Sequence, residues 1–570
     1  MKKGLFLIPA AALALASCSN DDFYNDANNG LTGETETRYL AVNLVDVADG
    51  TRAGADYEEG IGNENGVKNI RFYLFGSTPY ANTHYDCAAE NDGSDMNNVE
   101  KKLKAVIVYE EPKNSPKPVK IVAVVNPPAG LADSYDYPEA LQAVVDTYNV
   151  TSSASDFIMT NAVYVDETEH VAYDITTSYD SREEALANPV SIHVERVVAK
   201  ARVKTASTLT KVAGKEYYNI QEKKNPASPQ VGTIKAQVFE NGRLTEKEIY
   251  LNLLGWNVTG TASQSRLVKK VNASWNFANW TDWNNSGLYR SFWAQNPTEV
   301  ASQTGLVFGD FNMTGTTKAN ANNDFTAATP VYMQENAAWK ADGKNPEYAT
   351  KLIVAAQLVD NNNVGIDLAW WKGTYYLESS LLQAMATESK IYYKTGDAST
   401  IQTYEPLPST MLGFKSNTDV SGGASRNYFS FAQLNDDANI EQIEDQNVTW
   451  YTKSNTGEYE AIEGENLKAA INNILKGLGE TKVWHGGNTY YWTDIAHLGN
   501  NDYGKVGIVR NHIYDFELSS FVGFGIPVLN PSDVIYPEEP DDPDYAYIAA
   551  KLNILSWRVV YHDNTQLGWD

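Results

Sequence analysis

Between clusters of Gly, Asn, Asp and Pro, the chain sets short runs in which apolar and polar residues alternate, the period of a half-buried β-strand. The first lies at residues 39–47, where Leu40, Val42 and Leu44 fall on one face ahead of the turn Ala48-Asp49-Gly50. Others are predicted at 70–75, 105–109, 119–125, 157–160, 190–204, 234–239, 249–254, 351–358 and 507–518, punctuated by Pro127-Pro128 and Asn188-Pro189. Helical periodicity is confined to short pieces at 138–148, 377–385 and 467–478. Neither a heptad run nor a repeat of solenoid period is present. The pattern predicts an all-β protein, built as sandwiches with short helical insertions.

The N-terminal end departs from this pattern. Lys2 and Lys3 precede an apolar run over residues 5–16, roughly half of what a membrane-spanning helix needs, so the run reads as a secretory signal. It ends in Leu15-Ala16-Ser17-Cys18, which resembles the bacterial lipobox, where small residues admit the peptidase and the cysteine sulfur receives diacylglycerol. Cys18 is therefore expected to carry lipid. Ser19-Asn20-Asp21-Asp22 is similar to the acidic surface-export signal of Bacteroidales lipoproteins. Further on, Thr51-Arg52-Ala53-Gly54 opens a loop rich in Gly, Glu and Asn. An Arg in such a loop is either an ordinary surface arginine or the target of an Arg-specific protease, whose pocket pairs a carboxylate with the guanidinium.

At the other end, residues 531–544 contain Pro537-Glu538-Glu539-Pro540-Asp541-Asp542-Pro543-Asp544, an extended and self-repelling linker. Beyond it the alternation resumes, with Leu552 and Ile554 on one face and, after a one-residue phase change, Leu555, Trp557, Val559 and Tyr561 taking over. The slip predicts a bulge or bend. A strand set beyond a linker lacks partner strands of its own and is expected to complete a sheet elsewhere, against the plainer reading of a strand that closes its own domain.

Composition narrows the function. The 570 residues carry 45 Lys and Arg against 72 Asp and Glu, a formal charge of −27, which excludes a general nucleic-acid binder because phosphate neutralisation needs clustered cations. With 35 Tyr and 13 Trp there is ample apolar area for folded cores. Two cysteines, Cys18 and Cys87, build neither a disulfide framework nor a cysteine zinc site.

Candidate chemistry is sparse. His84, His170, His193, His485, His497, His512 and His562 show no His-Glu-x-x-His or comparable spacing, so no metal and no other cofactor is expected. Asp360-Asn361-Asn362-Asn363-Val364-Gly365 lacks the Glu that closes a calcium loop and reads as a solvated turn. Trp370-Trp371 with Tyr375-Tyr376, and Tyr490-Tyr491-Trp492, could make sugar-stacking platforms but read first as packing. Arg510-Asn511-His512 within a strand reads as structural, and no nucleophile elbow or phosphate loop is present.

Several segments carry a family resemblance through their order and spacing. They are the lipobox ending at Cys18, Thr51-Arg52-Ala53-Gly54, Ile70-Arg71-Phe72-Tyr73-Leu74-Phe75, Val124-Val125-Asn126-Pro127, Phe157-Ile158-Met159-Thr160, Val194-Glu195-Arg196-Val197-Val198-Ala199-Lys200-Ala201 and Gly507-Ile508-Val509-Arg510-Asn511-His512-Ile513-Tyr514. The acidic linker and a terminal strand with Trp557 near its middle follow. With these the sequence resembles the Bacteroidales type V fimbrillins, in particular the shaft subunit of the minor fimbrium, over nearly its whole length. Residues 255–348 match no motif.

The resemblance implies a structural protein and not an enzyme. Its fold would be two transthyretin-like β-sandwiches, here residues 53–190 and 191–530, preceded by a signal peptide at 1–17 and a propeptide at 18–52. The linker at 531–544 and a donor strand at 545–570 complete the chain. An Arg-specific surface protease would cut between Arg52 and Ala53, and the first strand, with Leu40, Val42 and Leu44, would leave. The donor strand of another copy, with Leu552, Ile554, Leu555, Trp557, Val559 and Tyr561, would fill the groove. About six apolar side chains at roughly 1.5–3 kcal/mol each give a gross gain on the order of 10 kcal/mol before ordering costs. Such head-to-tail contacts make open filaments.

The implied partners are other copies of the chain, tip, accessory and anchor subunits, the protease, and host or bacterial surface receptors. The precursor would be a lipid-anchored outer-membrane protein, and the filament would support adhesion and biofilm. From the residues alone, a surface glycan-binding lipoprotein is the alternative, with a tip or anchor subunit the nearest variant. Both joints are present in the sequence, which favours the shaft.

Overall fold

The computed structural model describes residues 17–18, 35–45, 57–59, 64, 68–76, 83–88, 104–112, 117–146, 157–165, 169–209, 211–221, 234–262, 264–271, 294–297, 306–311, 324–337, 339–340, 343–344, 349–395, 403–416, 428–464, 466–495, 497, 507–537 and 547–558. The protein is all-β with short helical insertions. No helix among the described residues is long and apolar enough to cross a membrane.

The first body uses β1 (Thr35–Val45), β3 (Asn69–Gly76), β4 (Thr83–Ala88), β5 (Lys104–Pro112), β6 (Pro118–Val125), β7 (Met159–Asn161) and β8 (Val190–Arg196), while the short β2 (Tyr57–Glu59) joins the second body. Their order in one sheet is β5-β1-β8-β7-β6-β3-β4. The apolar runs of β3 and β6 do not alternate, because both faces are covered. Phe72, Leu74, Ile121 and Ala123 join Leu40, Val42, Ile107 and Ile192 in one core, while Tyr73, Phe75, Val122 and Val124 pack on the opposite face with Phe157, Leu267 and Ile513.

The second body is a sandwich. Its strands include β9 (Val198–Thr205), β10 (Ile234–Glu240), β11 (Arg243–Thr259), β12 (Val331–Gln334), β13 (Lys351–Val359), β14 (Leu368–Trp371), β15 (Thr374–Leu377), β16 (Thr481–Trp484), β17 (Asn488–Asp494), β18 (His512–Val522) and β19 (Tyr547–Arg558). One sheet contains the path β16-β14-β15-β10-β11-β13-β17, and the other runs β12-β9-β18-β19-β2. Between them lies a core of Ala201, Val203, Trp256, Leu352, Val354, Tyr491, Tyr514 and Phe516.

Three expectations change here, and one further helix appears. The predicted strand at 190–204 is two strands in two sheets: β8 pairs with β1 and β7, and β9 pairs with β18 and β12. The chain passes between sheets at Val197, and strand 190–196 lies in the sheet of β1 and β7. The helix predicted at 138–148 is only α1 (Ala140–Ala143), because Val144 is extended and Val145–Asp146 pairs with Ser265–Arg266. Unpredicted α2 (Arg182–Ala187) is capped by Ser181, whose side chain accepts from the Glu184 N–H at 3.2 Å. Finally, the linker expected from 531 is docked at its start: Val534–Ile535 pairs with Leu306–Val307, and Ile535 is buried.

The other helical predictions hold as α3 (Glu378–Glu388) and α4 (Leu467–Lys476), which lie in an insertion with its own core of Ile391, Trp450, Ile471 and Leu475. Truncating Phe72, which is fully buried, to Ala is expected to cost about 3–5 kcal/mol in a denaturant unfolding experiment. Exposed Val119 to Ala in the same experiment is expected to stay within about 0.5 kcal/mol of the parent.

Candidate strand-exchange site

β1 lies inside its sheet, not at an edge. It runs antiparallel to β5 from Thr35↔Pro112 to Asn43↔Lys104 and parallel to β8 from Val42↔Val190 to Val45↔His193. Leu40 and Val42 are fully buried in the core below, while Ala41 meets Ala185 of α2 on the other face. The Tyr39 N–H donates to the Tyr179 carbonyl at 2.8 Å, and the Tyr39 carbonyl accepts from the Tyr179 N–H at 2.9 Å. Removing β1 would therefore bare two rows of strand hydrogen-bonding groups above an apolar floor. A groove of that kind is stable only when another strand fills it.

The C-terminal strand is paired within its own chain, contrary to the expectation that it lacks partners there. β19 runs antiparallel to β18 from Ser556↔His512 to Tyr547↔Val522, and β2 pairs in parallel with its far end, Tyr57↔Ser556 to Glu59↔Arg558. The expected bulge at Ile554 and Leu555 is also displaced: those residues keep continuous register, and the irregularity is in β18 at Ser519, opposite Ala549 and Ala550. An extra residue in either strand of a pair produces the same slip.

Between the two bodies lies a buried ionic junction. Glu64, in the segment after Arg52, accepts from Lys200 Nζ at 2.9 and 3.1 Å and from the Tyr332 hydroxyl at 2.6 Å. Its carbonyl accepts from Arg196 Nε at 3.0 Å. Arg196 Nη1 also donates to Asn511 Oδ1 at 3.2 Å, and the Asn511 N–H donates to the Val198 carbonyl at 2.7 Å. Beside this set, Arg510 pairs with Glu335, and Lys269 with Glu195 at 2.9 Å. Burial lowers Arg196 to about 9, with Glu64 and Tyr332 pulling the other way. Burial pushes the Glu195 carboxyl up to about 7 against the pull of Lys269 and Arg510.

Of the residues singled out from sequence, Leu40 and Val42 line the first core, and Leu44 lies in the same strand opposite Ile192. Leu552, Ile554, Leu555 and Trp557 lie on β19. Cys18 pairs with Ile107 in a short parallel bridge beside β5. Arg52, Ala53, Val559 and Tyr561 fall outside the described residues. Arg510 and His512 are buried, and His512 Nδ1 donates to the Arg510 carbonyl at 2.8 Å. Asp360 accepts from the Asn362 and Val364 N–H groups in its turn. Tyr490 and Tyr491 are buried, and their hydroxyls donate to the Tyr536 and Gly523 carbonyls.

Sequence reasoning did not single out Glu64, Lys200 or Glu335. A signal was available for part of the junction, because Glu195, Arg196 and Lys200 interrupt an apolar strand run where charge is costly unless paired.

No family model matches the chain, and no curated protein is similar to it in sequence. Among solved structures it is similar to the fimbrilin FimA of Porphyromonas gingivalis W83, at 11% identity and a TM-score of 0.36, covering 92% of this chain and 98% of that one. It is also similar to the tip fimbrial protein Mfa3 of P. gingivalis, at 10% identity and a TM-score of 0.31, covering 92% and 100%. A fimbrial assembly protein of Parabacteroides distasonis is similar at 9% identity and a TM-score of 0.21, covering 75% and 100%.

Glu64→Ala strips buried Lys200 of its carboxylate and is expected to cost about 3–5 kcal/mol by chemical denaturation. A pH series tests Glu195. Its folded carboxyl keeps a proton that the unfolded chain gives up near 4.5, so its stabilising contribution is complete below that pH and fades as the pH rises towards about 7. Across this window the stability difference between the parent and Glu195→Gln is expected to change with pH, and a constant difference would contradict the assignment.

Proposed function

We propose that the chain is a structural subunit of a fimbrial shaft, exported as a lipoprotein through Cys18, cut after Arg52 and polymerised by exchange of its C-terminal strand. The observation that carries this reading is the position of β1, which is hydrogen-bonded on both edges, packed on both faces, and joined to the rest of the chain through the segment that contains Arg52. Cutting there leaves β1 held by non-covalent contacts alone. A strand of another copy then takes its place.

β19 has the attributes of the incoming strand. It follows an acidic, Pro-rich stretch, and among the described residues its sheet continues beyond it with the three-residue β2 alone. In the precursor both halves of the joint are occupied, the groove by β1 and the strand by β18 and β2, so assembly waits for the cut. After it, main-chain pairing supplies affinity and alternate side chains supply register. The donor leaves one body and the groove lies in the other, so the contact is head-to-tail and propagates. The protein's role is mechanical and not enzymatic, at the cell surface, with other copies and with tip and anchor subunits as partners.

N-terminal sequencing and intact mass of protein sheared from cells, with gels run boiled and unboiled, test this reading. A start at Ala53 with a heat-sensitive ladder is expected, and deletion of residues 538–570 is expected to leave folded subunits that cannot extend a filament. A lipidated Cys18 start with one monomer band would contradict it.

A further inference from the structure

Three neighbouring strands of the second body end on a common row. β14 pairs antiparallel with both β15 and β16, and the last paired positions are Leu368↔Leu377 and Leu368↔Trp484. One residue beyond that row stand Asp367, Glu378 and His485, a carboxylate, a carboxylate and an imidazole on adjacent strand ends. Their ligand atoms all lie within 4.8 Å of one another. His485 Nδ1 is 2.8 Å from Glu378 Oε2 and 3.8 Å from Asp367 Oδ1.

The surrounding chain fixes each of the three. The Gly486 N–H donates to Asp367 Oδ1 at 2.6 Å, and the Gly486 carbonyl accepts from Gln357 Nε2 at 2.8 Å. Gly486 and Gly487 have φ of 63° and 77°, and a Cβ on Gly487 would collide with the Leu358 carbonyl, so the turn carrying His485 lies directly on β13. Glu378 opens α3, and its N–H donates to the Asp367 carbonyl at 3.0 Å. The charged groups acting on the Glu378 carboxylate are His485 and Asp367, with no Lys or Arg among them.

We propose that Asp367, Glu378 and His485 bind a divalent first-row transition ion, for which Zn2+ is the fitting probe. Around a tetrahedral ion with ligands at about 2.0–2.2 Å, neighbouring ligand atoms lie roughly 3.3 Å apart. The present separations of 2.8 and 3.8 Å bracket that value, so small side-chain rotations close the site. One imidazole with two carboxylates suits zinc-like ions, whereas Mg2+ prefers an octahedron of oxygens. His485 and Asp367 are about half exposed, which leaves solvent to complete the coordination. The ion would clip the start of α3 and the 485–487 turn to the end of the sheet. The site is independent of strand exchange.

The test is equilibrium dialysis of the tag-free full chain against ZnCl2, with metal counted per chain and competition by a large excess of MgCl2. NMR of histidine-labelled protein reads the His485 ring directly. Zinc is expected to bind, to resist magnesium, and to shift the His485 ring signals. His485→Ala and Asp367→Asn are each expected to weaken binding about tenfold or more. If either variant fails to fold by circular dichroism, the other variant and the ring shift decide. Zinc binding that both folded variants leave unchanged, or His485 signals that zinc leaves unmoved, would overturn the proposal.

Discussion

The structure depends on an internal strand whose every edge and face is in use. β1 supplies hydrogen-bonding groups to β5 and β8 and buries Leu40 and Val42 beneath them. A strand at the edge of a sheet can fray at little cost, but one in the middle leaves two unpaired rows when it goes. The first body is thus complete only with a strand in that position, although the position does not specify which chain supplies it. Apolar burial and ladder pairing are both generic to an alternating strand. This indifference is what the proposed mechanism, a cut after Arg52 followed by strand exchange, would draw on.

The two bodies are joined differently. Charges on β8 and β9 are buried and matched by Glu64, Lys269 and Asn511, and Arg510 beside them is matched by Glu335, so the junction is fixed by directional contacts that apolar packing would not provide. Buried pairs of this kind add little net stability compared with apolar packing, but breaking one is expensive. Glu64 ties the segment that follows Arg52 into this junction. Under the proposed cut after Arg52, the junction is expected to hold that segment in place while β1 is released.

Much of this was legible in the sequence, for reasons that particular residues make plain. Alternation located β1, continuous apolar runs located β3, β6 and β13, and helical periodicity located α4, because each has clear end signals. The break at Val197 was hidden, since Val194, Val197, Val198 and Ala201 are buried on both sides of the crossing and the apolar run continues through it. The phase slip near Ile554 was visible, but register is relative between two strands, and the extra residue is Ser519 in the partner. The Ser181-x-x-Glu184 cap was readable and not used. The pairing of β19 with its own chain, and the row of Asp367, Glu378 and His485, come from sheet register between distant segments, which spacing along the chain does not encode.

The central claim is that the C-terminal strand changes partners. In the intact chain, residue 552 pairs with residue 516 of the same chain. Cross-linking mass spectrometry on filaments grown from a mixture of isotopically light and heavy subunits distinguishes the two arrangements. Cross-links from residues 547–558 of one copy to β5 and β8 of a different copy are the predicted result. Cross-links confined to β18 of the same copy in assembled filaments would contradict the account.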